Sequence, residues 1–302
     1  MRVIILGSGA GGGFPQWNCR CAVCALFWAG DGRVRRRTQS SIAVSADGAR
    51  WTVLNCSPDI REQIGKVRAL QPNGTPRGSP IAAVLVTNGD ADHIGGLLSL
   101  REQTRFELIG TEAVLGALAA SPVFNVLDPA FVTRSRLEIG VRRALPGGLM
   151  AEAFHAPGKV PLYMEDGTPE TDVRSAFTIG LEVWDAAAPE RRLVYIPGCG
   201  RIDDALKAQI EGAALLLFDG TVWHNDEMAL AGVGSKTGLR MGHVPVAGEA
   251  GSMAALADVQ TGRCLYIHLN NTNPLLVDGS AERLEAKAKG WDVSCDGLEI
   301  EL

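Results

Sequence analysis

From its first residue the chain alternates short apolar runs with turn residues. An apolar run over 1–6 stops at Gly7-Ser8-Gly9, and further runs at 41–45 and 51–55 also read as strands. Residues 59–70 carry a helical pattern, 81–87 is an apolar run of the kind buried on both faces, and 94–102 reads as a helix. Strands are then expected near 106–109, 150–155, 177–184, 192–196, 214–218, 264–268 and 291–300, with helices over 112–120, 203–210, 249–259 and 281–289. Opening strands followed by strand–helix alternation argue against a simple doubly wound sheet. They predict an α/β (α+β) chain, an αββα sandwich of two mixed sheets flanked by helices. No low-complexity linker, internal repeat or charge block divides the chain, so a single domain is expected over 1–302. Residues 159–174, with their Pro, Gly, Asp and Glu, are expected to form an exposed flap.

Composition narrows the function classes. The 302 residues are 46% hydrophobic and 21% charged, which excludes disorder and a small disulfide scaffold, and 36 glycines favour tight turns over a helical bundle. A formal net charge of -5 leaves no basic footprint for nucleic acid, and the run Arg33-Val34-Arg35-Arg36-Arg37 reads as a solvated loop or local anion contact. No apolar stretch approaches the roughly 18 residues of a membrane span, and the first residues lack a signal-peptide core, so no membrane partner and a cytoplasmic location are expected.

Two glycine- and cysteine-rich features lie near the start. Gly7-Ser8-Gly9-Ala10-Gly11-Gly12 matches the spacing of a dinucleotide fingerprint, but the following Gly13-Phe14-Pro15-Gln16-Trp17-Asn18-Cys19 cannot start the helix that would meet a pyrophosphate. The motif reads better as a flexible loop that lets backbone approach a neighbouring site. Cys19, Cys21 and Cys24 are too close to pair as disulfides, whereas three thiolates and one further ligand make a closed tetrahedral zinc site, a Zn(II)-binding loop over 19–24. Cys56, Cys199, Cys264 and Cys295 lie in apolar contexts or at strand ends and read as core residues.

Strand ends carry the remaining chemistry. Thr87-Asn88-Gly89-Asp90-Ala91-Asp92-His93 follows a buried-type strand, Asp219 ends another, and His268 ends a third. Ligand sites in α/β sheets gather at the carboxyl ends of strands, so Asp92, His93, Asp219 and His268 can converge on one metal. The competing account makes Asp90 and Asp92 simple caps of the next helix. For Asp90 the two accounts weigh equally, while for the other four the capping account needs several coincidences. His243, in Met241-Gly242-His243, is a candidate to touch substrate or to support a ligand; His155 and His224 read as structural or surface residues.

This arrangement resembles the metallo-β-lactamase superfamily, whose signature H-x-H-x-D-H lies between a strand and a helix as 88–93 does. Aligned on that signature, Asn88 and Asp90 stand where two histidines of the first metal position are usual, and Lys159 stands where a third is usual. The second position keeps Asp92, His93 and His268, with Asp219 matching the bridging carboxylate. Two histidines and a carboxylate are the composition of the facial triad of non-haem Fe(II) oxygenases, whereas a binuclear hydrolase needs a second metal.

Within the superfamily the chain resembles members of the pyrroloquinoline quinone (PQQ) biosynthetic route. It is carried by Phe14-Pro15-Gln16-Trp17-Asn18-Cys19-Arg20-Cys21, Ser57-Pro58-Asp59-Ile60-Arg61, Asp92-His93, Pro157-Gly158-Lys159, Asp219-Gly220-Thr221, Met241-Gly242-His243 and His268-Leu269-Asn270-Asn271. That resemblance implies a cytoplasmic Fe(II)-dependent hydroxylase that uses O2 on the tyrosine ring of a cross-linked Glu-Tyr precursor. The alternatives are a carrier that assists PQQ transport to the periplasm and a zinc-dependent hydrolase. Such a substrate is acidic, which makes Lys159, Arg61 and Arg240 candidates to hold its carboxylates, beside Asp90 and His243. Phosphonate-pathway relatives complete the three-cysteine zinc with a histidine three residues after the late active-site histidine. Here that position is Asn271, so the fourth ligand stays open, as does a homodimer.

Overall fold

The computed structural model describes residues 1–72 and 74–302. In chain order the strands are β1 (Arg2–Gly7), β2 (Ser41–Ser45), β3 (Trp51–Leu54), β4 (Ile81–Leu85), β5 (Phe106–Gly110), β6 (Val132–Arg136), β7 (Arg143–Leu145), β8 (Leu149–Gly158), β9 (Val173–Asp185), β10 (Ala188–Ile196), β11 (Leu215–Asp219), β12 (Arg263–Ile267), β13 (Trp291–Val293) and β14 (Glu299–Glu301). They form two sheets, ordered β14-β1-β2-β3-β4-β5-β6 and β13-β12-β11-β10-β9-β8-β7. Both are mixed: β3 through β6 run parallel while β1 is antiparallel to its neighbours, and β10 through β13 run parallel while β8 and β9 are antiparallel. The helices are α1 (Ala22–Trp28), α2 (Ile60–Lys66), α3 (Ala91–Ile94), α4 (Glu112–Ala120), α5 (Asp204–Ile210), α6 (Glu227–Leu230), α7 (Gly238–Met241), α8 (Ser252–Ala255) and α9 (Ala281–Ala288).

Side-chain alternation explains the layering. In β1, Val3 and Ile5 join Leu54, Leu85, Leu193, Leu215 and Leu265 in the core between the sheets. Ile4 and Leu6 face the other way, into a core shared with Ile60 of α2 and Val114 of α4. In β11, Leu215 and Leu217 point to the central core, and Leu216 and Phe218 to an outer core with Leu206 of α5 and Ala286 of α9. Strands covered on both faces therefore read as unbroken apolar runs, here Leu215-Leu216-Leu217-Phe218. The αββα sandwich expected from the sequence is the observed fold. No helix among the described residues is long and apolar enough to cross a membrane.

Several local expectations need correction. Residues 291–300 are not one strand: β13 pairs with β12, β14 pairs with β1, and the chain crosses from one sheet to the other between them. Asp296 pins the crossing by accepting from Ser8 N at 2.9 Å and Thr38 N at 2.6 Å. The basic run is not wholly solvated, because Arg37 is buried at 4% exposure and donates to Ser8 Oγ at 3.1 Å and to the Ser294 carbonyl. The helix expected over 249–259 shortens to α8. The one expected over 94–102 begins earlier, as α3, and continues as a tighter 3-10 turn over Gly95–Leu100. Helix α1 was not expected; the Cys21 thiol caps it by accepting from Cys24 N. In the glycine motif, a Cβ on Gly7 would stand 2.1 Å from the Gln39 carbonyl oxygen, so close backbone approach accounts for that glycine.

A buried polar knot links the sheets beneath their strand ends. Asn55, in the left-handed conformation (φ 62), accepts from Thr87 N at 2.8 Å and donates to Thr87 Oγ1 at 3.0 Å and to the Tyr195 hydroxyl at 3.3 Å. Asn55 and Thr87 follow β3 and β4 of one sheet, and Tyr195 belongs to β10 of the other. Asn55→Ala leaves the Thr87 amide without its buried acceptor and puts an alanine at positive φ, so we expect a loss of about 2–4 kcal/mol in urea unfolding. A loss below about 0.5 kcal/mol would show that the knot is incidental.

Candidate metal centre

The parallel pairing of β11 with β12 sets Asp219 opposite Ile267, so Asp219 and the next residue after β12, His268, emerge at one edge. His268 has φ 62, which turns the chain sharply there. From the other sheet, the loop after β4 brings in Asp92 and His93 on α3. Cys56 N donates to the His93 carbonyl at 2.7 Å, Gly96 N donates to the Cys56 carbonyl at 2.9 Å, and a Cβ on Gly96 would stand 2.0 Å from the Ser57 carbonyl oxygen. The end of α3 is thus clamped to the loop after β3.

The donor atoms of Asp92, His93 and His268 lie within 4.8 Å of one another. His93 is 1% exposed; its Nδ1 lies 2.7 Å from Asn88 Oδ1, and its Nε2 is buried with no hydrogen-bond partner. A carbonyl acceptor holds the proton on Nδ1 and leaves Nε2 a free lone pair, the form a metal needs. Burial lowers the His93 pKa to about 4, so the ring is neutral. His268 Nδ1 lies 2.8 Å from Thr221 Oγ1, whose own proton goes to Asp219 Oδ1 at 2.6 Å. His268 Nε2 then faces Asp92 Oδ2 at 3.1 Å. Burial would raise the Asp92 pKa, but the imidazoles of His93 and His268 outweigh it and hold the carboxyl well below its usual range. These residues fit a bound metal, which would take the orphaned His93 lone pair and the facing Asp92 and His268 atoms together.

Asp219 is wholly buried. Its Oδ1 accepts from Thr221 N at 3.0 Å and from the Thr221 hydroxyl, and its Oδ2 from Cys199 N at 2.9 Å and His243 Nδ1 at 2.8 Å. The His243 ring stacks on His268 with centroids 5.1 Å apart. Asp219, His243 and His268 form a second donor set within 4.8 Å, although both Asp219 oxygens already serve protein donors.

The cleft over these groups has a volume of about 230 Å³ and is also lined by Gly11, Asp90, Lys159, Glu165, Lys236 and Arg240. Burial and the neighbouring Asp92 carboxylate push the Asp90 pKa up, against the pull of Lys159, 4.0 Å away. Arg61 is not here: it is exposed on α2 and lines a separate groove with Ile64, Leu70 and Phe106, because that helix faces the opposite side of its sheet. Sequence reasoning missed Thr221, Glu165 and Lys236. It also assigned no task to Asn88, which orients His93. The Asp219-Gly220-Thr221 motif was the one available signal for Thr221.

At the other cluster, Cys19, Cys21 and Cys24 are buried with their sulfurs within 4.8 Å. The Asn271 amide nitrogen lies 3.1 Å from Cys19 Sγ and 3.3 Å from Cys24 Sγ. A half-turn of that amide would present Oδ1, an acceptor able to complete a tetrahedral set. The Cys21–Cys24 hydrogen bond raises one thiol pKa and lowers the other, so three thiolates this close need a cation. The 270–273 turn is tied down by Thr272 Oγ1 donating to Glu227 Oε1 and by Asn273 Nδ2 donating to the Gly220 carbonyl at 2.7 Å.

Comparison with known proteins places the chain in a family. The beta-lactamase superfamily domain matches residues 50–269. Coenzyme PQQ synthesis protein B of Methylorubrum extorquens (strain PA1) is 51% identical over 302 residues, covering all of both chains. The chain belongs to the coenzyme PQQ synthesis protein B family. A crystal structure described as Zn(2+)-bound PqqB from Methylobacterium extorquens superimposes with a TM-score of 0.97 at 51% identity, again over all of both chains. A diphosphatase of the PhnP family shares the fold alone, with a TM-score of 0.69 at 20% identity over 100% of this chain and 97% of that one. The metallo-β-lactamase resemblance read from the sequence is therefore borne out, and the PQQ synthesis protein B family fixes its branch.

Two outcomes follow. Asn88→Ala should weaken metal binding in the cleft about 10- to 100-fold in chelator competition, leaving the cysteine site loaded; equal affinity would show that Asn88 does not orient His93. Burial raises the Glu227 pKa to about 7 from 4.5. A raised acid favours the fold while protonated, so this contribution is full below pH 4.5 and is lost as pH rises through 7. Unfolding curves should show the wild type losing roughly 3 kcal/mol relative to Glu227→Gln between pH 4.5 and 8; parallel curves would exclude it.

Proposed function

We propose that this chain acts in PQQ biosynthesis as a non-haem Fe(II)-dependent oxygenase that hydroxylates the tyrosine ring of the cross-linked Glu-Tyr precursor. The observation that carries the reading is the convergence of Asp92, His93 and His268, with the buried His93 Nε2 unpartnered, where other superfamily members would use a second metal. Asn88, Asp90 and Lys159 stand in place of the first metal position's histidines, which disfavours two-metal hydrolysis. Bound at the triad, Fe(II) would supply activation of O2. Zn(II) would belong to the cysteine site, with Asn271 as the fourth donor.

The residues around the triad have separate tasks. Asn88 and Thr221 hold His93 and His268 in the tautomers that leave Nε2 free. Lys159, Arg240 and Lys236 neutralise the carboxylates of a small acidic substrate. His243 has Nδ1 committed to Asp219, so its Nε2 is the atom left to take a proton from the substrate phenol. Asp90 accepts from Leu162 N at 3.1 Å and faces Lys159 Nζ at 4.0 Å, so it positions the cleft wall that the substrate meets.

Protein reconstituted with Fe(II) without oxygen, then mixed with the cross-linked Glu-Tyr substrate, O2 and ascorbate, should form a hydroxylated product. Aryl hydroxylation by O2 needs two added electrons, which ascorbate provides. His93→Ala should abolish the product. Oxygen uptake and product both absent in the wild type, with tight quinone binding that His93→Ala leaves unchanged, would replace the enzyme with a carrier.

A further inference from the structure

The 159–174 segment covers the cleft and also puts a charge into it. Glu165, whose side chain is 8% exposed, sets Oε1 3.0 Å from Lys159 Nζ and Oε2 3.0 Å from Arg240 Nη2. Lys159 is itself only 12% exposed on its side chain. These two cations are the groups assigned above to a substrate carboxylate, and the chain already supplies them with one of its own.

The seat is built from both ends. Leu162 N donates to Asp90 Oδ1 at 3.1 Å, and a Cβ on Gly89 would stand 3.0 Å from Pro161 Cγ and 3.2 Å from the Tyr163 hydroxyl. At the far end Arg174 pairs with Asp203, and a Cβ on Gly200 would stand 2.0 Å from the Thr171 carbonyl oxygen. Between these anchors Leu162, Tyr163 and Met164 are exposed while Glu165 turns inward.

We propose that Glu165 is a resident substitute for a ligand carboxylate, displaced when an aromatic polycarboxylate enters, and that it makes the cleft selective for acidic ligands. The proposal rests on the acidic-substrate reading above and adds the residue that enforces it. Exchanging one carboxylate for another keeps Lys159 and Arg240 compensated, whereas a neutral ligand that displaced Glu165 would leave two half-buried cations bare. Lys236, on the rim and without an ion pair among the described residues, is left for a second acidic group. A carboxylate tethered this closely competes at an effective concentration of about 1 mM or more. A ligand carboxylate that would bind the free cations at about 10–100 μM is therefore weakened roughly 10- to 100-fold.

Calorimetric titration of benzene-1,3-dicarboxylate and its neutral diamide into the full-length protein, Glu165→Gln and Glu165→Ala, at equal metal content, tests this. The diacid should bind Glu165→Ala about 10- to 100-fold more tightly than wild type, with Glu165→Gln in between and the diamide unchanged. Equal or weaker diacid binding by both variants would make Glu165 a structural clamp and overturn the proposal, with the acidic-substrate reading intact. Diacid binding absent from all three proteins would remove both.

Discussion

One wholly buried carboxylate holds the cleft together. Asp219 accepts four hydrogen bonds, from Cys199 N after β10, from the amide and hydroxyl of Thr221 after β11, and from His243. Through the Thr221 hydroxyl it also fixes His268 after β12. A buried charge without partners would cost several kcal/mol, and four donors turn that cost into a requirement that each loop sit in one place. The strand ends of the second sheet are therefore mutually positioned before any ligand arrives, and α3 from the first sheet meets them through Asp92 and His268.

Much of this was legible in the chain. The two-face burial of Leu215-Leu216-Leu217-Phe218 is written as an unbroken apolar run, and strand-terminal Asp219 and His268 needed only the rule that ligand sites gather at carboxyl ends. What stayed hidden depends on long-range contact. Nothing local marks Arg37 for burial, since its partners Ser8 and Ser294 lie far from it in sequence. Nor does 291–300 announce that it changes sheets, because Asp296 acts through Ser8 and Thr38. Arg61 shows the same limit from the other side: its neighbourhood in sequence resembled the family's, but its helix faces away from the cleft.

The lost histidines of the superfamily signature have been replaced by residues with work to do. Asn88 accepts from the ring that follows it on α3, and Asp90 and Lys159 join Glu165 and Arg240 in a line of alternating charge across the cleft mouth. Where a second cation would bind in a binuclear relative, this chain has built a charge-balanced organic wall. In the proposed reaction, substrate carboxylates would dock against this wall, beside the metal held by Asp92, His93 and His268.

His268 belongs to both donor sets of the cleft, yet it has one nitrogen to give. Its Nδ1 is spent on Thr221, so Nε2 can serve an ion shared with Asp92 and His93, or one shared with Asp219 and His243, but not both at once. An ion held by Asp92 and His93 would therefore claim that shared nitrogen, and Asp219 and His243 would be left to their bonds with Thr221, Cys199 and each other.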